Sequence, residues 1–137
     1  WDSIPLWAKY YIKENNIRFY GVDTIRIAQE SCKADDSLVQ RFQGIVLLGV
    51  FLRLTPFQKN AGLSEDALFD RVRIPIEKYF GRRGPEVVRD NLEAARKGYN
   101  QVFEVPRSII EATPADVLEK GRLEWEAKGK DTNAFFI

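Results

Sequence analysis

The sequence predicts an α/β fold that is mostly helical across its 137 residues, with one or two strands. Three observations carry this expectation. Apolar residues recur at helical spacing through several stretches bracketed by capping residues. One run, "IRFYGVD" from Ile17 to Asp23, is instead rich in branched and aromatic residues and short enough for a strand. A composition of 45% hydrophobic and 30% charged residues is that of an ordinary globular domain with a real core.

In chain order, Ser3 and Pro5 suit a helix start, with Ser3 as cap, and Leu6, Trp7, Tyr10 and Tyr11 follow at helical spacing until Asn15 and Asn16 stop it. Asp23 ends the strand, and its carboxylate can cap "TIRIAQESC" by accepting free amide hydrogens. After the polar connector "KADDS", Leu38 begins a helix that Thr55 and Pro56 end, because a residue before proline is pushed out of the helical region. This helix holds "RFQGIVLLGVFLRLTPF", residues 41–57. Its apolar stretch from Ile45 to Leu54 is interrupted by Gly49 and Arg53, short of the ~18 apolar residues that a bilayer demands, so it reads as a helix buried on most sides. In "LSEDALFDRV", Ser64 caps, Glu65 and Asp66 place negative charge on the first turn, and Leu68 and Val72 face inward; Pro75 is expected to kink or break this helix before "IEKYF". "GRRGPEVVRDNLEAARKGY" is the clearest helix, with Pro85 at its first position and Val88, Leu92, Ala95 and Tyr99 on one face. "VFEVP" reads as an edge strand or linker, "TPADVLEKG" as a short capped helix, and the remainder through "DTNAFFI" shows little periodicity.

Charge and composition exclude several functions. Twenty-one basic against 20 acidic residues leave a net charge of +1, so no broad field recruits nucleic acid or an anionic membrane. Cys32 is the single cysteine, which rules out an internal disulfide or a thiolate cluster and points to a reducing cytoplasm. The chain has no histidine, the commonest general base and metal ligand, so a self-contained catalytic centre is not expected. It opens on Trp1 and contains no methionine, and reads as a segment that has lost its beginning.

Four groups are candidates for chemistry. Arg82 and Arg83, between Gly81 and Gly84 and directly before a helix start, can hold a phosphate through guanidinium forks and free amides. The same turn reads as an ordinary solvated loop, because no strand feeds it as a nucleotide fingerprint requires. Asp35, Asp36, Glu65, Asp66 and Asp70 fall in turns or first helical turns, where they stabilise termini rather than act as acids or bases. Cys32 reads as a small core residue, and Trp7, Tyr10, Tyr11, Phe19 and Tyr20 read as packing rather than a base-stacking platform.

The ordered run of motifs resembles a known family. A strand ending in "VD", the helix "TIRIAQE", the buried helix "GIVLLGVFLRLT", then "GLSEDALFDRV" and "KYFGRRGPEVVRDNLEAARKGY" are together similar to the C-terminal half of the gamma subunit or domain of the 2-oxoacid:acceptor oxidoreductases, which act on pyruvate, other 2-oxoacids or oxalate. Where the family has an asparagine and then a methionine-leucine-glycine-alanine run, this chain has Gly44, then Leu47, Leu48, Gly49 and Val50. The family's glycine-rich opening strand, turn and helix are also absent, and would precede Trp1.

The resemblance implies residues 1–105 as the C-terminal half of a Rossmann-like three-layer gamma domain and 106–137 as a connector or extension. It implies a non-catalytic scaffold in an assembly with alpha-, beta- and delta-type subunits, where thiamine diphosphate with Mg2+ and 4Fe–4S clusters carry out the decarboxylation and pass electrons to ferredoxin. Coenzyme A serves most members, and Arg82 and Arg83 would be this chain's contact with it. The helix from Leu38 to Leu54 would lie beneath the sheet of the complete domain, with Gly49 admitting a neighbouring backbone. The competing readings are a free-standing helical interaction module without enzymatic context and a phosphate or nucleotide binder using the two arginines.

Overall fold

A computed structural model describes residues 1–129. Its described elements are α1 (Leu6–Glu14), β1 (Tyr20–Gly21), α2 (Thr24–Ser31), α3 (Val39–Leu54), α4 (Phe57–Asn60), α5 (Glu65–Phe80), α6 (Pro85–Gln101), β2 (Phe103–Glu104), α7 (Arg107–Glu111) and α8 (Ala115–Gly129), with 3-10 turns at Asp36–Leu38 and Gly81–Arg83. The fold is mostly helical with a two-stranded antiparallel sheet, as the sequence predicts.

The chain packs as two compact units. One runs continuously from Val22 to Val102; the other combines Trp1–Gly21 with the chain from Phe103 onward.

In the continuous unit, α6 is the central helix. One of its sides carries Val87 and Ala94 into a cluster with Ile27, Ala28 and Cys32 of the α2 region and Leu38, Phe42 and Val46 of the α3 region. Val88, Ala95 and Tyr99 enter a second cluster with Leu52 of α3 and Leu68, Phe69, Val72 and Ile76 of α5. Each fully buried side chain of this size stabilises by about 1.5–3 kcal/mol, so these two clusters define the unit. Asp23 and Ser64 cap as expected, accepting from the backbone amides of Arg26 and Ala67. Pro75 does not break α5, which runs unbroken to Phe80. Proline removes one amide hydrogen and leaves one carbonyl unpaired, but Arg71 and Pro75 lie on the exposed side while Leu68, Phe69, Val72 and Ile76 anchor the other.

In the second unit, β1 and β2 pair antiparallel, with Tyr20 opposite Glu104 and Gly21 opposite Phe103. Of the predicted strand from Ile17 to Asp23, these two residues form the strand, and the Phe19 carbonyl adds one bond by accepting from the Val105 amide at 2.8 Å. Arg18 clamps Glu104 through two hydrogen bonds of 2.8 Å. Ile12, Val105 and Ile110 form the small core. Ser3 does not cap α1, whose N-cap is Pro5. The helix predicted over "TPADVLEKG" extends to Gly129, held against α1 by Trp125, which stacks on Trp7 with ring centroids 5.8 Å apart and meets Tyr11 at 4.3 Å. Gly121 makes this contact close: a β-carbon built there would fall 2.8 Å from the Leu6 carbonyl carbon. The stretch "DTNAFFI" lies outside the described residues.

Candidate functional site

The most specific geometry in the continuous unit is the crossing of α3 and α6. A β-carbon on Gly49 would collide with the Ala95 carbonyl oxygen and sit 2.7 Å from the Tyr99 amide nitrogen. One on Gly98 would collide with the Val46 carbonyl oxygen and sit 2.9 Å from its carbonyl carbon. Each helix therefore presents a glycine to the other's backbone, and only glycine permits that approach. The expectation that Gly49 admits a neighbouring backbone holds; the neighbour in the described residues is helix α6 rather than a sheet.

That crossing uses one face of α3. Phe42, Val46, Gly49 and Leu52 are buried, whereas Leu47, Phe51 and Leu54 are 52%, 59% and 43% exposed, and Phe57 of α4 is 52% exposed. The helix is thus not buried on most sides, as composition suggested. It is apolar all round because its two faces have different surroundings, and a helix of that pattern is ordinarily enclosed. By length and composition Asp36–Leu54, 19 residues of mean hydropathy 1.3, also suffices to cross a bilayer. Its inner face is occupied by α2, α5 and α6.

The ends of α2 and α6 are held by polar contacts. Asp90, 2% exposed, accepts from the amides of Lys33 at 2.9 Å and Ala34 at 2.8 Å and so fixes the loop after α2. Lys97 Nζ reaches Glu93 at 3.0 Å and Glu30 at 3.5 Å, and Lys33 Nζ reaches Glu93 at 3.4 Å. Partial burial pushes the Glu93 carboxyl up, yet hydrogen bonds from Lys97 and Lys33 outweigh it and hold it below the ordinary glutamate range. A group with a depressed folded pKa stabilises above its unfolded value and loses that stabilisation as pH falls through the folded one. We expect thermal melts of Glu93→Gln and the parent chain to converge in strong acid and to separate near neutrality, the variant melting lower.

The sequence-predicted site residues lie on the turn before α6. Arg83 Nη1 stands 3.5 Å from Asp35 Oδ2, while Arg82 has no ion pair among the described residues. Both side chains are exposed. Gly84 adopts φ 111°, a left-handed conformation that glycine tolerates, and Glu86 already places a carboxylate on the first turn of α6. Hydrogen bonds from the Ser37 hydroxyl and amide hold Asp35 below the ordinary carboxylate range, with a smaller contribution from Arg83. Asp35 also caps the 3-10 turn, and Glu65 and Asp66 pair with Arg96. Cys32 is buried, and its Sγ donates to the Asp35 carbonyl at 2.9 Å. Burial, then the charges of Asp90, Asp35 and Asp36, push its thiol up, against thiolate reactivity. Gly98, Asp90 and Gly121 were not singled out from sequence. A signal existed for the first: Ala94, Ala95 and Gly98 crowd small residues onto one stretch of α6.

The family model for pyruvate ferredoxin/flavodoxin oxidoreductase (POR) matches residues 2–101. The chain belongs to this oxidoreductase family. The matched span of this POR-family chain includes all of the Val22–Val102 unit except its last residue. Over 111 residues it is 23% identical to a pyruvate-flavodoxin oxidoreductase of Nostoc sp., covering 81% of this chain and 8% of that protein. Over 92 residues it is 32% identical to a pyruvate dehydrogenase [NADP(+)] of Cryptosporidium parvum, covering 67% of this chain and 4% of that one. The chain thus spans less than a tenth of the length of these curated relatives. No solved structure matches it. The side chains of this POR-family chain do not fit an iron–sulfur cluster, which takes about four thiolates, since it has only Cys32; among the described residues no three histidine, cysteine or carboxylate groups gather to hold a metal ion.

Proposed function

We propose that this chain is the non-catalytic structural and partner-binding gamma domain of a thiamine diphosphate- and iron–sulfur-dependent 2-oxoacid:ferredoxin oxidoreductase. The observation that carries the reading is the outer face of α3. Leu47, Phe51 and Leu54 stand in solvent on a helix whose inner face is fixed against α6, and an exposed apolar row of that size on an ordered helix marks an interaction surface. Family membership supplies the context of 2-oxoacid oxidation. In this reading the cofactors are held by alpha-, beta- and delta-type companions in the cytoplasm, and the free thiol of Cys32 suits that reducing compartment. Arg82, exposed and without an ion-pair partner among the described residues, is the group we assign to coenzyme A, with Arg83 beside it.

The test is made in the intact oxidoreductase. Phe51→Glu is expected to strip the brown, cluster-bearing companions during purification and to abolish 2-oxoacid-dependent reduction of ferredoxin. The Tm of the 137-residue chain itself should be unchanged, because the substituted side chain is exposed. Retention of all companions by Phe51→Glu would refute the interface, and a colourless parent protein purifying alone would favour the free-standing interaction module. Replacing Arg82 and Arg83 together by alanine should weaken coenzyme A binding about tenfold or more, since each charge-assisted contact to phosphate is among the stronger hydrogen bonds; indifference removes that assignment.

A further inference from the structure

The open face of α3 has a spacing and a charge pattern that specify its occupant. Gln40, Gly44, Leu47, Phe51 and Leu54 are all exposed and recur at alternating steps of four and three residues. This is the heptad spacing of a helix that packs lengthwise along another helix, with side chains of each seated in holes of its partner. Gly44 supplies such a hole. A β-carbon built there meets nothing within 4 Å, in contrast to Gly49 on the inner face.

Charge narrows the choice further. From Leu38 to Leu63 the chain contains no aspartate or glutamate, and its charged residues are Arg41, Arg53 and Lys59, all exposed. At about 100° per residue, the row spans about 80° of the helix surface; Arg41 lies about 60° outside one edge of it, while Arg53 lies about 100° outside the other, toward the face that packs on α6. None of the three has an ion-pair partner among the described residues. The Arg53 guanidinium is instead held over the Tyr99 ring, 5.0 Å from its centroid. Beyond Leu54 the row opens into a cleft of about 450 Å³ lined by Arg53, Thr55, Gln58 and Lys59, where the buried Thr55 hydroxyl has no hydrogen-bond partner.

We propose that the outer face of α3 receives one amphipathic helix of a companion chain, with apolar residues at heptad spacing and carboxylates along its Arg41 side and at the end that meets Arg53, Lys59 and Thr55. The inference rests on the reading of this chain as a partner-binding domain and names the chemistry of the partner. Flanking opposite charges set partner choice and orientation in helix pairs, and like charges oppose docking.

Two synthetic helical peptides test it. They share a leucine heptad row and differ only in flanking residues, glutamate in one and lysine in the other. The 137-residue chain is expected to bind the glutamate peptide at least about tenfold more tightly, a difference of the size that several rim charge pairs together produce. Exchanging Arg41 and Arg53 for glutamate should invert the preference, and Phe51→Glu should abolish both complexes without moving the chain's Tm. Equal affinity for the two peptides would overturn the proposal, as would binding to phosphatidylglycerol vesicles in preference to either, or sedimentation showing that the face pairs two copies of this chain. If the peptides bind equally while Phe51→Glu still strips the companions from the oxidoreductase, the partner chemistry fails and the interface stands. If the companions are retained, the functional reading itself fails.

Discussion

Gly49→Ala is expected to destabilise the Val22–Val102 unit by roughly 3 kcal/mol or more, the upper range for overpacking, and to lower its Tm by well over ten degrees in a thermal melt. The methyl group has nowhere to go, because the atoms it meets are the Ala95 carbonyl and the Tyr99 amide, and backbone cannot swing aside as a flexible side chain can. Relief requires α3 and α6 to separate, which loosens Phe42 and Val46 on one side of the crossing and Leu52, Ala95 and Tyr99 on the other. Gly44→Ala is the matched control on the same helix. With open space around it, the substitution should stabilise by up to about 1 kcal/mol through helix propensity alone. Equal melting temperatures for the two variants would refute the crossing.

Asp90→Ala is expected to cost about 3 kcal/mol, measured by urea denaturation, since a buried charged acceptor is worth about 1.5–3 kcal/mol for each hydrogen bond. The carboxylate accepts from two consecutive amides, Lys33 and Ala34, and its loss leaves both without a partner in a partly buried loop. That loop carries Cys32 into the first core cluster and delivers Lys33 to Glu93. The exchange of Lys33 and Ala34 amide hydrogens with solvent should accelerate in the variant. Unchanged protection there would show that Asp90 is not what holds the loop.

How much of this was legible beforehand depends on the range of the forces involved. The caps at Asp23 and Ser64, the stop at Thr55 and Pro56, and the start of α6 at Pro85 are decided within a few residues, and the sequence states them directly. The strand from Ile17 to Asp23 is overextended because pairing needs partners 82 and 84 residues away whose number no local pattern reveals. Pro75 reads by its intrinsic cost, without the buried side chains of Val72 and Ile76 that keep α5 continuous around it. The face of α3 that stays open was hidden by its uniform apolarity, since both faces carry the same residue types. Arg82 and Arg83 were visible as a motif, yet Asp35 beside Arg83 was not, because it comes from a turn far away in the chain. Asp90 escaped notice as one more charge on a polar helix; its burial is a property of the loop that covers it.

The unit made of Trp1–Gly21 and the chain beyond Phe103 has a consequence for biosynthesis. Its helix α1 leaves the ribosome about a hundred residues before α8, the helix it must stack against, so α1 emerges with Trp7 and Tyr11 still lacking Trp125. The stretch from Val22 to Val102 has all its own contacts in hand much sooner. Translation therefore completes the inner segment before the outer unit can close, and a chain truncated after Val102 would keep its inner contacts while Trp7 and Tyr11 lack Trp125.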